Sequence, residues 1–496
     1  MEVREPSSSF AIQCAGRRTG VYSSAMPEAN ARRRRSRRYR PRRRRNEAPP
    51  PDNSAIELPQ SVLIADVGEC AVRIARTCQR MGMKVLGLDA PRYCNDLHHS
   101  ACDQLIEVAE LEPETIAMAA VAHEAAALHP GYAHAGQAEL AKECISRGLP
   151  FLGGGVDALN VSTDCLRSRE LAWAAQVRTV PTFPSLVRTP EQASAAFDAL
   201  KGPCRLRTPL ATGPVSLATE DAQTAFQEIA EIARDREVPL EFIAEQALER
   251  PRILELTCLM DFTGNVAPLV EREHSLHWGH RLVLSESPSP ALTVDSEGHA
   301  RREALYDSAI RVLRGLGDTG LASVRFLIDI DGLAYFDQME LGLPESYSVT
   351  ELVAGIDLVE WQLHLSSGGK ITEDIETNQP SGHSAQAWIY GGTPSLAQVS
   401  EVFWPPVPQG SVRIEPETFV GDRWEADEMR LALRVATYGP VRHQALHTLD
   451  RIFAALRLTP LDTNIAALRR LLVDESFRFG QYDSSLDISQ WFRTSQ

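Results

Sequence analysis

The spacing of apolar residues changes along the chain and predicts two kinds of architecture. From residue 61, short apolar strands alternate with amphipathic helices, starting with a strand, a turn at Gly68, a helix and a second strand within about 30 residues. Strands are predicted at 62–65, 84–88 and 151–152, and helices at 71–82, 113–127 and 136–147. A strand, helix and strand in this order form a βαβ unit, so the first part is predicted to be a doubly wound α/β domain on a parallel sheet.

Beyond residue 164 the pattern becomes that of an α+β body. Helices are predicted at 164–176, 219–235 and 349–367, and strands within 203–247, across 253–284 and at 321–329 and 333–339. Apolar and polar residues alternate over most of 253–284, which is typical of long antiparallel strands. The final segment, from 376 to 490, is predicted to mix helices and strands. No apolar run approaches the ~18 residues that span a bilayer, so a soluble protein without membrane contact is predicted.

Composition supports a globular body and narrows its chemistry. The 496 residues are 43% hydrophobic and 24% charged, which are ordinary values for a folded protein of about three domains. The nine cysteines are scattered without a CxxC pair, which indicates reduced thiols in the cytoplasm rather than disulfides or a zinc ribbon. Only four lysines stand against 47 arginines. A planar guanidinium does not replace a flexible ammonium in phosphate or proton chemistry.

Residues 1–60 differ from the rest of the chain. They hold fourteen arginines and six acidic residues, with runs of four arginines at 32–35 and 42–45, and show no helical or strand periodicity. We therefore predict disorder. Three roles stay open: a solvated tail or over-extended start with Met26 as an alternative initiator, nonspecific binding of nucleic acid or acidic partners, and an organelle transit peptide. The remaining chain carries a charge of about −23, which argues against nucleic acid as the main ligand of the fold.

Several short segments carry a resemblance to a known family. They are the strand, turn and helix from Leu63 to Ile74, HPGY at 129–132, ERE at 271–273 with SESPSP at 285–290, VTE at 349–351 with GIDLVEWQL at 355–363, and the closing stretch from Thr463 to Asp483. In sequence, order and spacing they resemble the biotin carboxylases. The resemblance runs from about residue 61 to residue 485.

The resemblance implies an ATP-grasp architecture in three domains. These are a biotin carboxylase N-terminal (pre-ATP-grasp) domain at 61–172, an ATP-grasp-like domain with a degenerate lid at 173–375 and a biotin carboxylase C-terminal domain at 376–490, after the tail at 1–60. The family carboxylates biotin with bicarbonate and ATP. That chemistry requires cations on the phosphates, carboxylates that hold magnesium, an arginine for the developing enolate of biotin, and an acid–base group.

On the phosphate side, most of the implied groups are replaced. The glycine-rich lid of the family corresponds to a shorter loop that keeps Gly213 and contains Pro209 and Pro214, which offer no N–H donors. Cys165 stands at one of the two implied lysine positions. The candidates left for a weak, vestigial ATP site are Arg207 at the other lysine position, Glu245 in the adenine-contact segment, and His280 at a family histidine.

The metal and biotin positions are replaced as well. Arg325 and Gln338 stand at the two implied magnesium carboxylates, so magnesium would lose hard oxygen ligands and meet a positive charge. The other degenerate positions are Gly342 at the catalytic arginine, Ser346 at the bicarbonate base, Trp388 at a supporting arginine and Ile253 at a histidine. Glu340 and Glu345 are nearby alternatives as displaced metal ligands. We predict no retained catalytic residue, no metal site and no bound cofactor.

A group of histidines invites a different hypothesis. His274, His277 and His280 are spaced by three residues, as zinc ligands sometimes are. An extended segment does not bring residues at that spacing together, and no cysteine pair lies nearby. We therefore expect these histidines to line a repurposed polar pocket.

Three functions follow from these observations. The first is a catalytically degenerate structural or regulatory subunit of a biotin-dependent acyl-CoA carboxylase system. It would form a homodimer or a heteromer with biotin carboxylase-type subunits, beside a biotin carrier or carboxyltransferase subunit, and the carrier would be another chain because no biotinyl-lysine motif is present. The second is an active but rewired ATP-dependent ligase that uses Arg207, Glu340, Glu345 and the histidines. The third is a nucleic-acid-associated protein that binds through residues 1–60.

Overall fold

The computed structural model covers most of the chain after residue 50. It describes residues 51–53, 56–90, 96–132, 136–210, 219–235, 238–279, 281–292, 297–376, 380–408, 410–426, 429–486 and 488. The predicted disordered tail lies outside the described residues except for 51–53 and 56–60, and so do Gly213 and Pro214 of the lid and His280. The predictions made for those residues remain predictions.

Four parallel strands form the N-terminal sheet, in the order β3-β2-β1-β4. The strands are β1 (Ser61–Ile64), β2 (Lys84–Asp89), β3 (Gln104–Glu107) and β4 (Ala127–His129), and the helices are α1 (Gly68–Arg80), α2 (Pro113–Ala122) and α3 (Gln137–Ser146). Val62 and Ile64 pack with α1 on one face, and Leu63 packs with α2 and α3 on the other. Successive residues of a strand point to opposite faces, which is why an all-apolar β1 serves both layers. The predicted doubly wound start is confirmed.

A small antiparallel unit follows the N-terminal sheet. Its elements, after the leading helices α4 (Val156–Thr163) and α5 (Cys165–Ala174), are α6 (Pro190–Leu200), β5 (Cys204–Arg207), α7 (Ala222–Asp235) and β6 (Ile243–Gln246). Strands β5 and β6 pair, and Phe197, Phe226 and Phe242 fill an apolar core of their own between sheet and helices. We call β5, β6, α6 and α7 the small subdomain.

A nine-stranded antiparallel sheet forms the centre of the protein. Its strands are β7 (Arg252–Met260), β8 (Val266–Trp278), β9 (Arg281–Ser287), β10 (Gly320–Ile328), β11 (Ala334–Leu341), β12 (His383–Gly392), β15 (Val412–Pro416), β17 (Arg430–Gly439) and β19 (Asp462–Thr463). The order is β11-β10-β7-β8-β9-β12-β17-β15, with β19 beside β12. Two strand pairs lie apart from it: β13 (Ala397–Gln398) with β16 (Arg423–Trp424), and β14 (Glu401–Phe403) with β18 (Arg457–Thr459). The predicted α+β body is confirmed, and the sheet continues across the predicted boundary at residue 375.

Helices cover the central sheet. They are α8 (Gly298–Leu316), α9 (Tyr347–Ala354), α10 (Leu358–Ser366), α11 (Glu373–Glu376), α12 (Arg442–Ala455), α13 (Ile465–Leu471) and α14 (Glu475–Arg478). The single helix predicted at 349–367 is wrong, because α9 and α10 are separate. Gly355 takes a left-handed φ of 68° that ends α9, and the side chain of Asp357 then caps α10 by accepting from the N–H of Glu360. The helix predicted at 113–127 ends at Ala122, since β4 begins at Ala127.

Two general features bear on the sequence predictions. In the part of the chain that the structure describes, no helix combines the length and the apolar character that a membrane crossing needs. The cysteines at 70, 78, 102, 144, 165, 204 and 258 are free thiols. Most of them are buried and pack as small apolar side chains.

Candidate functional site

Arg325 and Gln338 lie opposite each other on the last two strands at one end of the central sheet. They are Cα partners in the antiparallel register of β10 and β11, and β7 places Glu255 opposite Arg325 on the other side. Nη2 of Arg325 donates a hydrogen bond of 3.2 Å to Oε2 of Glu255. The two positions that the resemblance implies for metal carboxylates are therefore neighbours, but they carry a guanidinium and an amide.

Glu255 is the centre of a buried ion cluster. Arg272 donates to it from β8, Arg325 donates from β10, and Nδ1 of His274 lies 3.6 Å from its Oε2. Burial by itself would raise the pKa of Glu255, but the attraction of Arg272, with that of Arg325, outweighs burial and holds that pKa well below its ordinary value. Burial lowers the pKa of His274 to about 3, so its imidazole is neutral at physiological pH. The charge of Glu255 is therefore paired with guanidinium groups of the chain itself.

Glu340 is the titratable carboxyl of this region with a pKa near neutrality. Burial, and then repulsion from Glu255 and Glu345, raise its pKa to about 7 against the attraction of Arg325. Its Oε1 accepts a long hydrogen bond of 3.4 Å from Nε2 of Gln338. Glu345 itself is exposed, just before α9. Glu340 can therefore hold or release a proton near pH 7. This gives the site a group that could act as an acid or a base without a metal ion.

The donor set does not fit magnesium. A divalent cation of this kind needs several oxygen ligands with negative charge. Here Glu255 is already neutralised by Arg272 and Arg325, and Gln338 offers only an amide. Among the described residues, no group of three or more histidine, cysteine or acidic side chains is arranged to hold a metal ion. A cation placed here would meet the fixed positive charge of Arg325.

The implied biotin side is apolar or occupied by small residues. Gly342 ends β11 with a φ of 110°, and its N–H donates to the carbonyl of Leu321. Ser346 is buried at the start of α9. Trp388 is 2% exposed on β12 and stands opposite Arg434 of β17. None of these side chains can orient an anion as a free guanidinium would.

Arg207, at an implied phosphate lysine, is bound inside the protein. Nη1 of Arg207 donates 2.9 Å to Oδ1 of Asp337, and Nη2 donates 3.2 Å to Oε1 of Gln338. Arg207 is 2% exposed. Its charge is therefore used by the central sheet.

Glu245, the implied adenine contact, is held in the same way. Arg169 of α5 donates to its Oε2, and Nε of Arg205 donates 2.5 Å to its Oε1. Burial would raise the pKa of Glu245, but Arg205, Arg169 and Arg207 together hold that pKa well below its ordinary value. Glu245 is fully buried as a carboxylate. Both described nucleotide candidates thus belong to one network of ion pairs.

Cys165 and the beginning of the lid lie beside this network. Cys165 opens α5, is fully buried, and donates its backbone N–H to the carbonyl of Pro209 at 2.8 Å. Burial raises the pKa of its thiol, against the attraction of Arg207 and Arg169. A neutral thiol supplies no positive charge for a phosphate.

The HPGY segment takes part in a second buried cluster. The Tyr132 hydroxyl donates a hydrogen bond of 2.5 Å to Glu69 of α1, and Arg434 donates 2.7 Å to the same carboxylate. Arg434 also pairs with Glu415 and Glu417. Burial and then repulsion from Glu69 raise the pKa of Glu417 to about 7, although Arg434 lowers it. This cluster joins the N-terminal sheet to the central sheet.

Sequence reasoning missed the partners of the substituted residues. Glu255, Arg272, Arg169, Arg205 and Asp337 were not singled out, although they satisfy Arg325, Glu245 and Arg207. One signal was available, because Arg205 and Arg207 alternate on a strand that was expected to line a nucleotide site. Two arginines on one face of a buried strand require carboxylate partners.

Two family models match the chain. One, described as biotin carboxylase, N-terminal domain, matches residues 59–159, and one described as carbamoyl-phosphate synthase L chain, ATP binding domain, matches residues 164–374. Biotin carboxylase of Nostoc sp. is 27% identical over 443 residues, which cover 86% of this chain and 97% of that protein. The α subunit of mitochondrial methylcrotonoyl-CoA carboxylase from Oryza sativa is 26% identical, and the match covers 86% of this chain but 59% of that subunit.

Solved structures agree with these matches. The biotin carboxylase domain dimer of Hydrogenobacter thermophilus 2-oxoglutarate carboxylase, in complex with MgADP, ADP and bicarbonate, has a TM-score of 0.78 at 21% identity, over 86% of this chain and 97% of that chain. Campylobacter jejuni biotin carboxylase has a TM-score of 0.77 at 23% identity, over 86% and 98%. The fold is therefore that of the ATP-grasp biotin carboxylases. The sequence matches add that the chain is similar to biotin carboxylases and to α subunits of acyl-CoA carboxylases.

Proposed function

We propose that this protein is a noncatalytic biotin carboxylase-like subunit with a structural or regulatory role in a biotin-dependent acyl-CoA carboxylase system. One observation carries the proposal: Arg325 and Gln338 stand opposite each other where the family implies metal carboxylates, and Arg325 is ion-paired to Glu255. A metal-assisted phosphoryl transfer needs negative ligands at those positions. The site instead carries the guanidinium of Arg325, which is already paired with Glu255.

The framework residues support this proposal, because their contacts are complete. Arg73 in the resembling segment of α1 pairs with Glu351 at 2.5 Å and with Asp357 at 2.9 Å. Glu351 belongs to the VTE segment, and Asp357 belongs to the GIDLVEWQL segment. The substituted positions, by contrast, lie where nucleotide, metal and biotin would be bound. Substitutions confined to the positions implied for catalysis are expected when the function depends on the fold and not on catalysis.

The proposed partners are chains with the same or complementary domains. The H. thermophilus relative is a domain dimer, and the O. sativa relative is the α subunit of a carboxylase. We propose a homodimer, or a heteromer with a catalytic biotin carboxylase-type subunit, next to a biotin carrier or carboxyltransferase subunit. Light scattering on the purified chain, alone and with a catalytic biotin carboxylase, tests this. A protein that stays monomeric and does not bind the catalytic biotin carboxylase contradicts the proposal.

A second candidate, a rewired ATP-dependent ligase, is favoured by Glu340. Its pKa of about 7 would suit a general acid or base. Against this candidate, Arg207 and Glu245 are both held by internal partners. Isothermal titration calorimetry with Mg-ATP separates the two, using an active biotin carboxylase as the positive control. Undetectable binding at millimolar ATP excludes the rewired ligase, and binding followed by turnover of ATP at a rate comparable to the positive control contradicts the noncatalytic proposal.

A further inference from the structure

The small subdomain and the central sheet have separate apolar cores. The core of the small subdomain contains Phe197, Phe226 and Phe242, whereas Phe326 and Phe336 belong to the core beside β10 and β11. Each core stabilises its own layer by burial. Burial is non-directional, so it does not determine how the two layers are oriented. Directional contacts between them are needed for that.

Such contacts are made by five charged side chains from four elements. Arg169 lies on α5, Arg205 and Arg207 on β5, Glu245 on β6 and Asp337 on β11. Two ion pairs cross from the small subdomain to the central sheet: Arg207 Nη1 to Asp337 Oδ1 at 2.9 Å and Arg205 Nη2 to the same oxygen at 3.6 Å. Both arginines also reach Glu245 within the small subdomain.

The ion pairs between the two layers form in one arrangement of the layers. Arg207 is 2% exposed and Asp337 is 6% exposed, so each is removed from water when the layers meet. A buried polar network is favourable only when its members are paired, and a shift of β5 along β11 would leave Arg207 without Asp337 and Gln338. The ion pairs therefore select one closed position.

We propose that the contact of Arg205 and Arg207 with Asp337 is a conformational latch, which holds the small subdomain closed on the central sheet without a nucleotide. Arg207 and Glu245 are the two described residues implied for nucleotide contact. The latch uses Arg207 directly, and it involves Glu245 through Arg205. It keeps those groups from any phosphate or base. The latch goes beyond the proposed function, because an active enzyme could also carry it and open it with ATP.

Hydrogen–deuterium exchange on the full-length chain tests the latch. In the wild type, amides of β5, β6 and α7 exchange slowly without ligand. The near-isosteric Asp337→Asn variant removes the charge that both arginines share, and these amides are expected to exchange about tenfold faster or more, while β1 and β2 stay unchanged. The matched control is Arg188→Gln, which removes the exposed pair of Arg188 Nε with Glu241 Oε1 at 2.8 Å and leaves exchange at the wild-type rate.

Equal exchange in the wild type and Asp337→Asn overturns the latch and leaves the noncatalytic proposal standing. If Asp337→Asn does not fold, Arg205→Gln serves instead, because Arg205 is partly exposed and makes the longer contact with Asp337. Faster exchange of the same amides in Arg205→Gln supports the latch, and wild-type exchange overturns it. Faster exchange of these amides in the wild type on addition of Mg-ATP would support the latch, whether or not the protein turns ATP over.

Discussion

Arg325 donates a 3.2 Å hydrogen bond to Glu255 across two neighbouring strands of the central sheet. The guanidinium gives Glu255 a fixed positive partner, where the family implies a carboxylate that binds a mobile cation. Arg272 completes the neutralisation from β8. Magnesium is therefore not needed to neutralise Glu255.

Glu245→Gln is expected to destabilise the protein strongly. The change leaves Arg169 and Arg207 buried without their shared carboxylate, and breaking a buried pair from one side costs about 3–5 kcal/mol. Urea unfolding measures the loss. The matched control is Glu241→Gln in the exposed pair with Arg188, with an expected effect of about 0.5 kcal/mol or less. A loss below about 1 kcal/mol for Glu245→Gln would show that the network contributes little to stability.

Glu340 and Glu417 predict a specific pH dependence. The pKa of each is raised from 4.5 to about 7 in the folded state, so folding binds protons between those values and the contribution of both carboxyls to stability is lost as pH rises through this window. His129 and His274, whose pKa values burial lowers to about 4 and about 3, give the opposite slope.

The histidine contribution cancels when the wild type is compared with a variant that keeps both histidines. The Glu340→Gln/Glu417→Gln double variant is therefore expected to gain about 4 kcal/mol on the wild type between pH 5 and pH 7, with about 2 kcal/mol from each carboxyl. Urea unfolding at pH 5, 6 and 7 gives this difference. Parallel curves for the two proteins would show that neither carboxyl has a raised pKa.

Gly355→Ala tests the break between α9 and α10. Gly355 has a φ of 68°, which costs an ordinary side chain about 1–2 kcal/mol. Thermal unfolding is expected to show a loss of that size. Gly355→Asn is the control, because asparagine tolerates left-handed backbone, and it is expected to lose less. Equal stability of the alanine variant and the wild type would mean that the two helices can merge into one.

Local patterns in the sequence predicted most of the fold. The all-apolar β1 and the glycine turn at Gly68 predicted the parallel start, and the alternation over 253–284 predicted the long antiparallel strands. The predicted helix at 349–367 failed because one stripe of apolar residues runs through both α9 and α10. Only the left-handed backbone at Gly355 separates them, and a glycine within a helical pattern does not by itself reveal that conformation.

The candidate site was predictable as a set of substitutions but not as a set of contacts. The resemblance identified Arg325, Gln338 and Arg207 as changed positions. Their partners come from distant parts of the chain, since Arg325 pairs with Glu255 and Arg207 with Asp337. Such pairings depend on the register of strands in the finished sheet. They could be read only from the structure, as could the raised pKa of Glu340.

Phosphate release from ATP by the full-length protein, with magnesium, bicarbonate and free biotin, tests the central claim most directly. Omission of biotin gives the background, and Campylobacter jejuni biotin carboxylase in the same assay gives the reference rate. The noncatalytic proposal predicts no biotin-dependent release above a protein-free blank. Biotin-dependent release at a rate comparable to the reference enzyme would contradict it.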